Sequence, residues 1–288
     1  MVVAFIGLGE VGGNYSKGMV QHGGIVKGYD LKFHDPDGKE RFRHCADAGV
    51  ELVEGPKELI EGSDIIIAVT SSHQAMETAE MYKPYLKPGQ VYVELNSATP
   101  RVKREVQSFL AEDCIFVDGA TMNSPTQLGV KTPVVMSGPQ AKSVVEALNS
   151  VGMNITLLGD SIGQAAAYKV IRSIFAKSVE ASLVESMCMA RKYGIADEVF
   201  NSIASLFDGD VHAFLAMMIR TNMIHAKRRA EEVEAVGLME EEDGMNNIMA
   251  MAAAQKLFWL ADKGMKEKFS GRVAENMYIA LDTLLEVY

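Results

Sequence analysis

The sequence predicts an α/β first half, built as a doubly wound and mainly parallel sheet, followed by an all-α second half. A long helix joins the two. Three observations carry this prediction. A glycine-rich turn, Gly7-Leu8-Gly9-Glu10-Val11-Gly12, follows directly on the first apolar run. Up to about residue 160, short β-branched runs alternate with helix-compatible stretches. After Gly163 the strand patterns nearly vanish. Strands alternating with helices imply right-handed crossovers and a parallel sheet. The expected division is residues 1–160 and 161–288.

The elements follow in order. Val2 to Ile6 is an apolar run of the length of one buried strand. Gly7 permits a tight turn, Gly9 lets backbone approach a phosphate group, and Gly12 lets the next helix pack close to the strand. That helix continues over Asn14–Gln21, with Tyr15, Met19 and Val20 toward a sheet. Ile25, Val26 and Tyr29 form a second strand ending at Asp30, eighteen residues beyond Gly12. A polar turn is expected over Asp35–Gly38 and a short helix over Glu40–Ala48. Pro56 suits the first turn of another helix, running to Glu61. Asp64-Ile-Ile-Ile-Ala-Val-Thr reads as a strand covered on both faces. Ser72–Tyr82 is a helix, Pro88-Gly89 a turn, Val91–Leu95 a strand, and Thr99-Pro100 a helix start. Strands follow at Ile115–Asp118, Val134–Ser137 and Ile155–Leu158, with a helix over Ala141–Val151.

Gln164–Tyr193 lacks Gly and Pro and reads as one helix of roughly 45 Å, stopped by Gly194. Further helices are expected over Ala196–Phe207, Val211–Val236, Met245–Lys263 and Gly271–Glu286. The acidic stretch Glu231–Asp243 reads as a solvated helix end and loop. Met217, Met218, Met249 and Met251 read as adaptable core.

Composition bounds the function. The 288 residues are 48% hydrophobic, enough for substantial cores, and carry a net charge of −10. That charge, with no basic block, argues against nucleic acid and anionic membranes. Three scattered cysteines, Cys45, Cys114 and Cys188, fit a reducing compartment. No signal peptide or membrane span is expected, so the cytoplasm is the default. The six histidines show no metal-binding spacing, and no catalytic metal is expected.

The glycine turn, a strand before it, a helix after it and an acid at Asp30 together predict a dinucleotide site. A carboxylate at Asp30 accepts the adenosine ribose hydroxyls and repels a 2′-phosphate, which favours NAD. Lys32 blurs that preference, and NADP stays open. Open parallel sheets bind ligands at the carboxyl ends of their strands. Thr70-Ser71-Ser72 and Asn96-Ser97 sit at two such ends and offer small polar groups where a nicotinamide and its ribose would lie; Thr70, Ser71 and Asn96 are expected to contact the cofactor. Asp118-Gly-Ala-Thr-Met122-Asn123-Ser124-Pro is a polar loop after a strand, whose Asn123 and Ser124 suit a substrate carboxylate or hydroxyl. Lys169 and Ser173 share one face at the start of the long helix. A lysine buried beside a cleft has a lowered pKa and suits proton transfer at a carbinol oxygen.

Four segments carry a resemblance that spans essentially the whole chain: Ile6-Gly-Leu-Gly-Glu-Val-Gly, Glu94-Leu-Asn-Ser-Ala-Thr-Pro, Asp118-Gly-Ala-Thr-Met-Asn-Ser, and Gly163 to Lys169. With them the chain resembles the β-hydroxyacid dehydrogenase superfamily of 3-hydroxyisobutyrate and 6-phosphogluconate dehydrogenases. More narrowly it resembles a subgroup with a phosphogluconate-dehydrogenase-like C-terminal domain. The resemblance implies a Rossmann domain, an all-α C-terminal domain, a dimer or higher homo-oligomer, and Lys169 as general acid/base. It departs from the family pattern at Val11 (usually Met), at Met122-Asn123-Ser124 (usually Ser-Gly-Gly) and at Ser173 (usually Asn). Arg172 is a candidate partner for a substrate carboxylate or a structural ion-pair residue.

The expected activity is hydride transfer between NAD and a small 3-hydroxy acid. Two alternatives stand beside it. One is a reductase of imines or other carbonyls; imine reductases of the superfamily often replace the lysine, so Lys169 speaks against it. The other is a dinucleotide-binding sensor without turnover.

Overall fold

A computed structural model describes residues 1–33, 35 and 39–288. The turn expected over Asp35–Gly38 therefore falls largely outside the described residues. Two compact units form, Met1–Ser173 and Ile174–Tyr288.

The first unit contains eight strands: β1 Val2–Ile6, β2 Ile25–Tyr29, β3 Glu51–Leu52, β4 Ile65–Ala68, β5 Val91–Glu94, β6 Ile115–Thr121, β7 Pro133–Ser137 and β8 Asn154–Gly159. Its helices are α1 Glu10–Gln21, α2 Lys39–Asp47, α3 Pro56–Ile60, α4 Ala75–Tyr82, α5 Pro100–Leu110 and α6 Ala141–Ser150. The strands form one sheet in the order β3-β2-β1-β4-β5-β6-β7-β8. All neighbours pair in parallel except β6 and β7. The doubly wound, mainly parallel Rossmann architecture expected from the alternating pattern is present.

Sequence order reverses between β1 and β4, which are direct neighbours. Their following loops diverge there and leave a crevice at the carboxyl ends. The sheet is covered on both faces, which explains why β4 (Ile65–Ala68) is wholly apolar. One core gathers Phe5, Leu8, Tyr15, Met19, Ile67 and Val117, and the other gathers Ile6, Ile66, Tyr82, Tyr92 and Leu110.

Some bounds differ from expectation, with physical reasons. The short β3 carries no apolar run and was not legible; it pairs only at Lys27↔Glu51 and Gly28↔Leu52. β6 runs on through Thr121, because Asp118–Thr121 pair antiparallel with Val134–Ser137. Gly119–Thr121, read as part of a polar loop, are thus strand residues, and Asp118, the expected strand end, is fully buried. The helix expected from Ser72 opens with a 3₁₀ turn at Ser72–Gln74.

Helix α7, Gln164–Lys192, is the long helix, and Gly194 ends it in a left-handed conformation (φ 72°). The second unit adds α8 Ala196–Ser205, α9 Val211–Glu242, α10 Ile248–Ala261, α11 Met265–Lys268 and α12 Met277–Leu285. No strand occurs there among the described residues, as expected. Helix α9 continues through the acidic stretch, so Glu231–Glu242 is helix and not loop, and Glu240 is buried. Residues Gly271–Asn276 are not helical. The buried stripe of α9 is Met223, Ala226, Ala230 and Gly237. Met217 and Met218 lie off that stripe and are exposed, as is Met251, so the methionine core is carried instead by Met223 and Met265. No described helix is long and apolar enough to cross a membrane.

Candidate functional site

Two adjoining cavities occupy the crevice of the first unit. The larger, about 560 Å³, runs from Gly7, Gly9, Glu10 and Val11 past Asp30 and Lys32 to Thr70, Ser71 and Tyr82. The smaller, about 330 Å³, is lined by Val11, Thr70, Asn96, Ser97, Thr121, Met122, Asn123, Ser124 and Lys169. Val11, Val69 and Thr70 belong to both, so the two cavities share a wall.

The glycine turn has the shape a dinucleotide needs. Gly7 has φ +94°, and a Cβ there would lie 2.7 Å from the Val69 carbonyl oxygen. At Gly12 a Cβ would sit 2.0 Å from the Gly7 carbonyl oxygen, which accounts for the close approach of α1 to β1. A Cβ at Gly9 would meet nothing within 4 Å. Open space therefore stands over Gly9, at the N-terminus of α1, where no side chain caps the helix. Free backbone N–H groups and the positive end of the helix dipole favour an anion there.

Asp30 lines the same cavity. Its carboxylate accepts the Leu8 N–H at 2.8 Å and the Lys32 N–H at 2.9 Å, which ties the end of β2 to the glycine turn. Leu8 itself is buried against Gly28 and supports the turn from behind. Glu10, within the glycine turn expected to hold the cofactor, also lines this cavity. Its carboxylate accepts the Ser124 hydroxyl and, at 2.8 Å, the Thr126 hydroxyl. These bonds, Ser124 first, hold its pKa below the usual carboxylate range.

In the smaller cavity, Asn96 is only 2% exposed. Its Nδ2 donates to Thr70 Oγ1 at 3.2 Å, and its backbone N–H donates to Glu94 Oε1 at 2.9 Å. Its Oδ1 is buried without a partner. A buried acceptor of this kind is costly unless something donates to it. The donor set therefore fits a dinucleotide: a cradle over Gly9, a carboxylate at Asp30, and an unused acceptor at Asn96.

Lys169 reaches the cavity from the second turn of α7, and its Nζ donates to Ser97 Oγ at 2.6 Å. Burial, and then the charge of Lys103, push its pKa below the ordinary 10.5. Arg172 Nη1 donates to the Met122 carbonyl at 3.0 Å and so braces the loop. Ser173 is not brought into either cavity; its hydroxyl donates to the Lys169 carbonyl at 2.8 Å, along the helix. Ser71 makes a short bond to Gln74 at the start of the 3₁₀ turn.

Sequence reasoning passed over Thr121, Thr126 and a buried charge cluster. Ser97, read with Asn96 as a polar strand end beside the nicotinamide, is the partner of Lys169. The cluster is Lys103, fully buried on α5, with Glu94 Oε2 at 3.0 Å and Asp118 Oδ1 at 3.4 Å. The available signal was register: Lys103 stands in line with Val106 and Leu110, the other buried positions of α5.

Known proteins resemble this chain in sequence and in fold. The conserved protein MTH1747, of unknown function, whose structure is described as similar to 3-hydroxyacid dehydrogenases, is 27% identical with a TM-score of 0.62. The match covers 91% of this chain and 98% of that one. Human mitochondrial 3-hydroxyisobutyrate dehydrogenase is 24% identical over 221 residues, 72% of this chain and 62% of that protein. The chain thus spans less than two thirds of this relative's length. An imine reductase from Myxococcus stipitatus, a variant solved in complex with NAD+, is 18% identical with a TM-score of 0.76, over 92% of this chain and 94% of that one. At that identity it shows the fold alone. Residues 190–260 match a domain of unknown function (DUF1932). Residues 2–159, more than half of the chain, match the NAD binding domain of 6-phosphogluconate dehydrogenase, and the chain belongs to that family, among the NAD(P)-dependent 3-hydroxyacid dehydrogenase-like proteins.

Proposed function

We propose that this chain is a dehydrogenase that oxidises the hydroxyl of a small 3-hydroxy acid, with NAD as cofactor and Lys169 as the proton acceptor. The observation that carries the reading is the wall shared by the two cavities: an amine of lowered pKa stands in one, and the glycine cradle forms the end of the other. NAD, when bound, supplies the hydride acceptor. Gly7, Gly9 and Gly12 would cradle its pyrophosphate, Asp30 would take the adenosine ribose, and Thr70, Ser71 and Asn96 would lie along its nicotinamide half.

The chain's own residues do the rest. Neutral Lys169 takes the hydroxyl proton as the carbinol carbon gives up its hydride, and in the reverse direction the ammonium returns it. Ser97 keeps Nζ aimed into the cavity. Asn123, on the exposed loop, and Arg172, with guanidinium nitrogens beyond the one on Met122, would hold the carboxylate. Ser124 is spent on Glu10 and so serves as a loop anchor first. Residues 1–160 supply cofactor binding, and 161–288 complete the substrate site and the oligomer. The exposed Ile174, Phe175 and Val179 of α7 give a second copy an apolar face to cover, and the cytoplasm provides the reduced compartment and the cofactor.

The test is a panel of 3-hydroxy acids, keto acids and cyclic imines, with NAD(H) and NADP(H), read at the reduced-nicotinamide absorbance. Oxidation of a 3-hydroxy acid with NAD is expected. Turnover of imines alone would select the reductase reading, and cofactor binding without any turnover would select the sensor.

A further inference from the structure

We propose that Lys103 is a positioning residue for Lys169: through Glu94 and Asp118 it sets the turn bearing Asn96 and Ser97 and the start of α7 in one register, and it supplies positive charge behind the reacting amine.

Lys103 has no solvent exposure, and a buried ammonium loses its hydration. An apolar side chain in line with Val106 and Leu110 would hold α5 to the sheet without that penalty. The ammonium does something a methyl cannot. It donates to the Glu94 carbonyl at 2.5 Å and the Gly119 carbonyl at 2.9 Å. It also faces a carboxylate oxygen of Glu94 and one of Asp118, residues directly paired on neighbouring strands.

Each carboxylate uses its other oxygen elsewhere, Glu94 on a wall of the small cavity and Asp118 on the start of the helix that carries Lys169. Glu94 Oε1 accepts the Asn96 N–H at 2.9 Å and so fixes the turn that presents Asn96 and Ser97. Asp118 Oδ2 accepts the N–H groups of Gly163 at 3.0 Å and Ala166 at 3.1 Å, with the Ser137 hydroxyl at 3.3 Å. Ser137 Oγ accepts the Ala165 N–H at 3.0 Å as well. Orphan N–H groups at the start of α7 are thereby satisfied from strand residues. Lys169 is three residues beyond Ala166, and its Nζ returns to Ser97. The contacts close into a ring: Lys103, Glu94, the Asn96–Ser97 turn, Lys169, the start of α7, Asp118, and Lys103 again.

Charge follows the same path. Burial first, and the Lys103 charge second, lower the Lys169 pKa. The charged groups around Lys169 are Lys103 from α5, with Glu94 and Asp118 at the strand ends behind it, and Arg172 on its own helix. Arg104 of α5 stands beside Gly163, and Glu10 is reached only through Ser124. The side chains of Asn96, Ser97, Thr121, Met122 and Asn123 in the cavity are neutral.

The meaning of this for turnover rests on the proton-transfer reading, but the test needs no turnover. The full chain is labelled with ¹³C,¹⁵N-lysine, and the Lys169 titration is followed without substrate, assigned by its loss in Lys169→Met. In Lys103→Met the midpoint should rise toward the ordinary lysine value, and amide exchange at Gly163, Ala165 and Ala166 should quicken. In Lys103→Arg, which keeps the charge, the midpoint should stay at the wild-type value. An unmoved midpoint in folded Lys103→Met overturns the proposal. An equal rise in both variants also overturns it, since that reports loosening of the cavity and not lost charge. If circular dichroism shows Lys103→Met unfolded, Lys103→Gln carries the same predictions. A substrate panel without turnover would sink the proposed function and leave this titration standing.

Discussion

Alanine placed at two neighbouring glycines should separate folding from cofactor binding. At Gly12 a Cβ would lie 2.0 Å from the Gly7 carbonyl oxygen and 2.9 Å from Val69 Cγ1. Ordinary non-bonded contact begins near ~3.5 Å, so the start of α1 must retreat by more than ~1 Å. That retreat drags Tyr15 and Met19, both fully buried, out of the core against β1. Overpacking of this kind costs about 1–3 kcal/mol, which for a chain of this size lowers the thermal midpoint by roughly 2–10 °C. Gly9 is the opposite case. Its φ of −64° is open to alanine, and a Cβ meets nothing within 4 Å. The weaker alanine N-cap costs about 0.5–1 kcal/mol, and the stiffer unfolded chain returns about 0.4–1 kcal/mol, so stability should hardly change. The methyl would stand where a pyrophosphate approaches, and the Kd for NADH should rise at least ~10-fold, a loss of about 1.4 kcal/mol. Thermal melts and fluorescence titration with NADH read the two effects. A Gly9→Ala variant that binds NADH like wild type would refute the cradle, and an unchanged Gly12→Ala midpoint would refute the packing argument.

Further outcomes follow from the same geometry. Lys169→Met should lower kcat by about 10²- to 10⁴-fold while the Kd for NADH stays put; near-normal turnover would remove the lysine from the mechanism. Because the Lys169 pKa is lowered in the fold, the unfolded chain binds more protons between that value and 10.5. Its contribution to stability should therefore rise with pH across that window, and denaturation midpoints of wild type should climb relative to Lys169→Met there. Asp30→Asn should weaken NAD more than NADP and narrow the ratio of their dissociation constants; a ratio unchanged from wild type would remove Asp30 from the choice. Glu10→Gln removes a negative charge from the first turn of α1, where an anion is to bind, and should tighten NADH binding more at low salt than at high salt. Equal effects at both salt concentrations would show that the charge does not act on the cofactor.

The sequence revealed the parts of this molecule whose physics is local. The run Ile65–Ala68 could only be a strand covered on both faces, and the glycine spacing after Ile6 demanded a strand, a turn and a helix. Long-range pairing was not legible. Nothing in Asp118-Gly-Ala-Thr says that Val134–Ser137 will lie antiparallel to it, so a buried strand end read as a loop. Nor does any local signal say that Glu240 will be buried. Lys103 is the instructive case between these. Its apolar register on α5 was visible, but a lysine in that register has meaning only once Glu94 and Asp118 are known to be cross-strand neighbours.

Under the proposed function, the same arrangement lets one fold carry different substrates. The loop after β6 is held from two sides, by Arg172 on the Met122 carbonyl and by the Ser124 and Thr126 hydroxyls on Glu10. Its backbone is tied to the sheet by the Met122 N–H on the Pro133 carbonyl at 2.9 Å. None of these anchors uses the side chain of Met122 or Asn123. The exposed Asn123 is therefore free to vary without unseating the loop, whereas Met122 packs against Ala120, Val135 and Ala165, and Glu10, Thr126 and Arg172 are bound to the loop's position. Glu10 belongs to the glycine turn and lines the larger cavity, so its bonds to Ser124 and Thr126 tie that cavity to the loop that walls the smaller one. Under the proposed function, selection of a substrate then rests on Asn123, the spare guanidinium nitrogens of Arg172 and the part of Met122 that lines the cavity, set against Lys169.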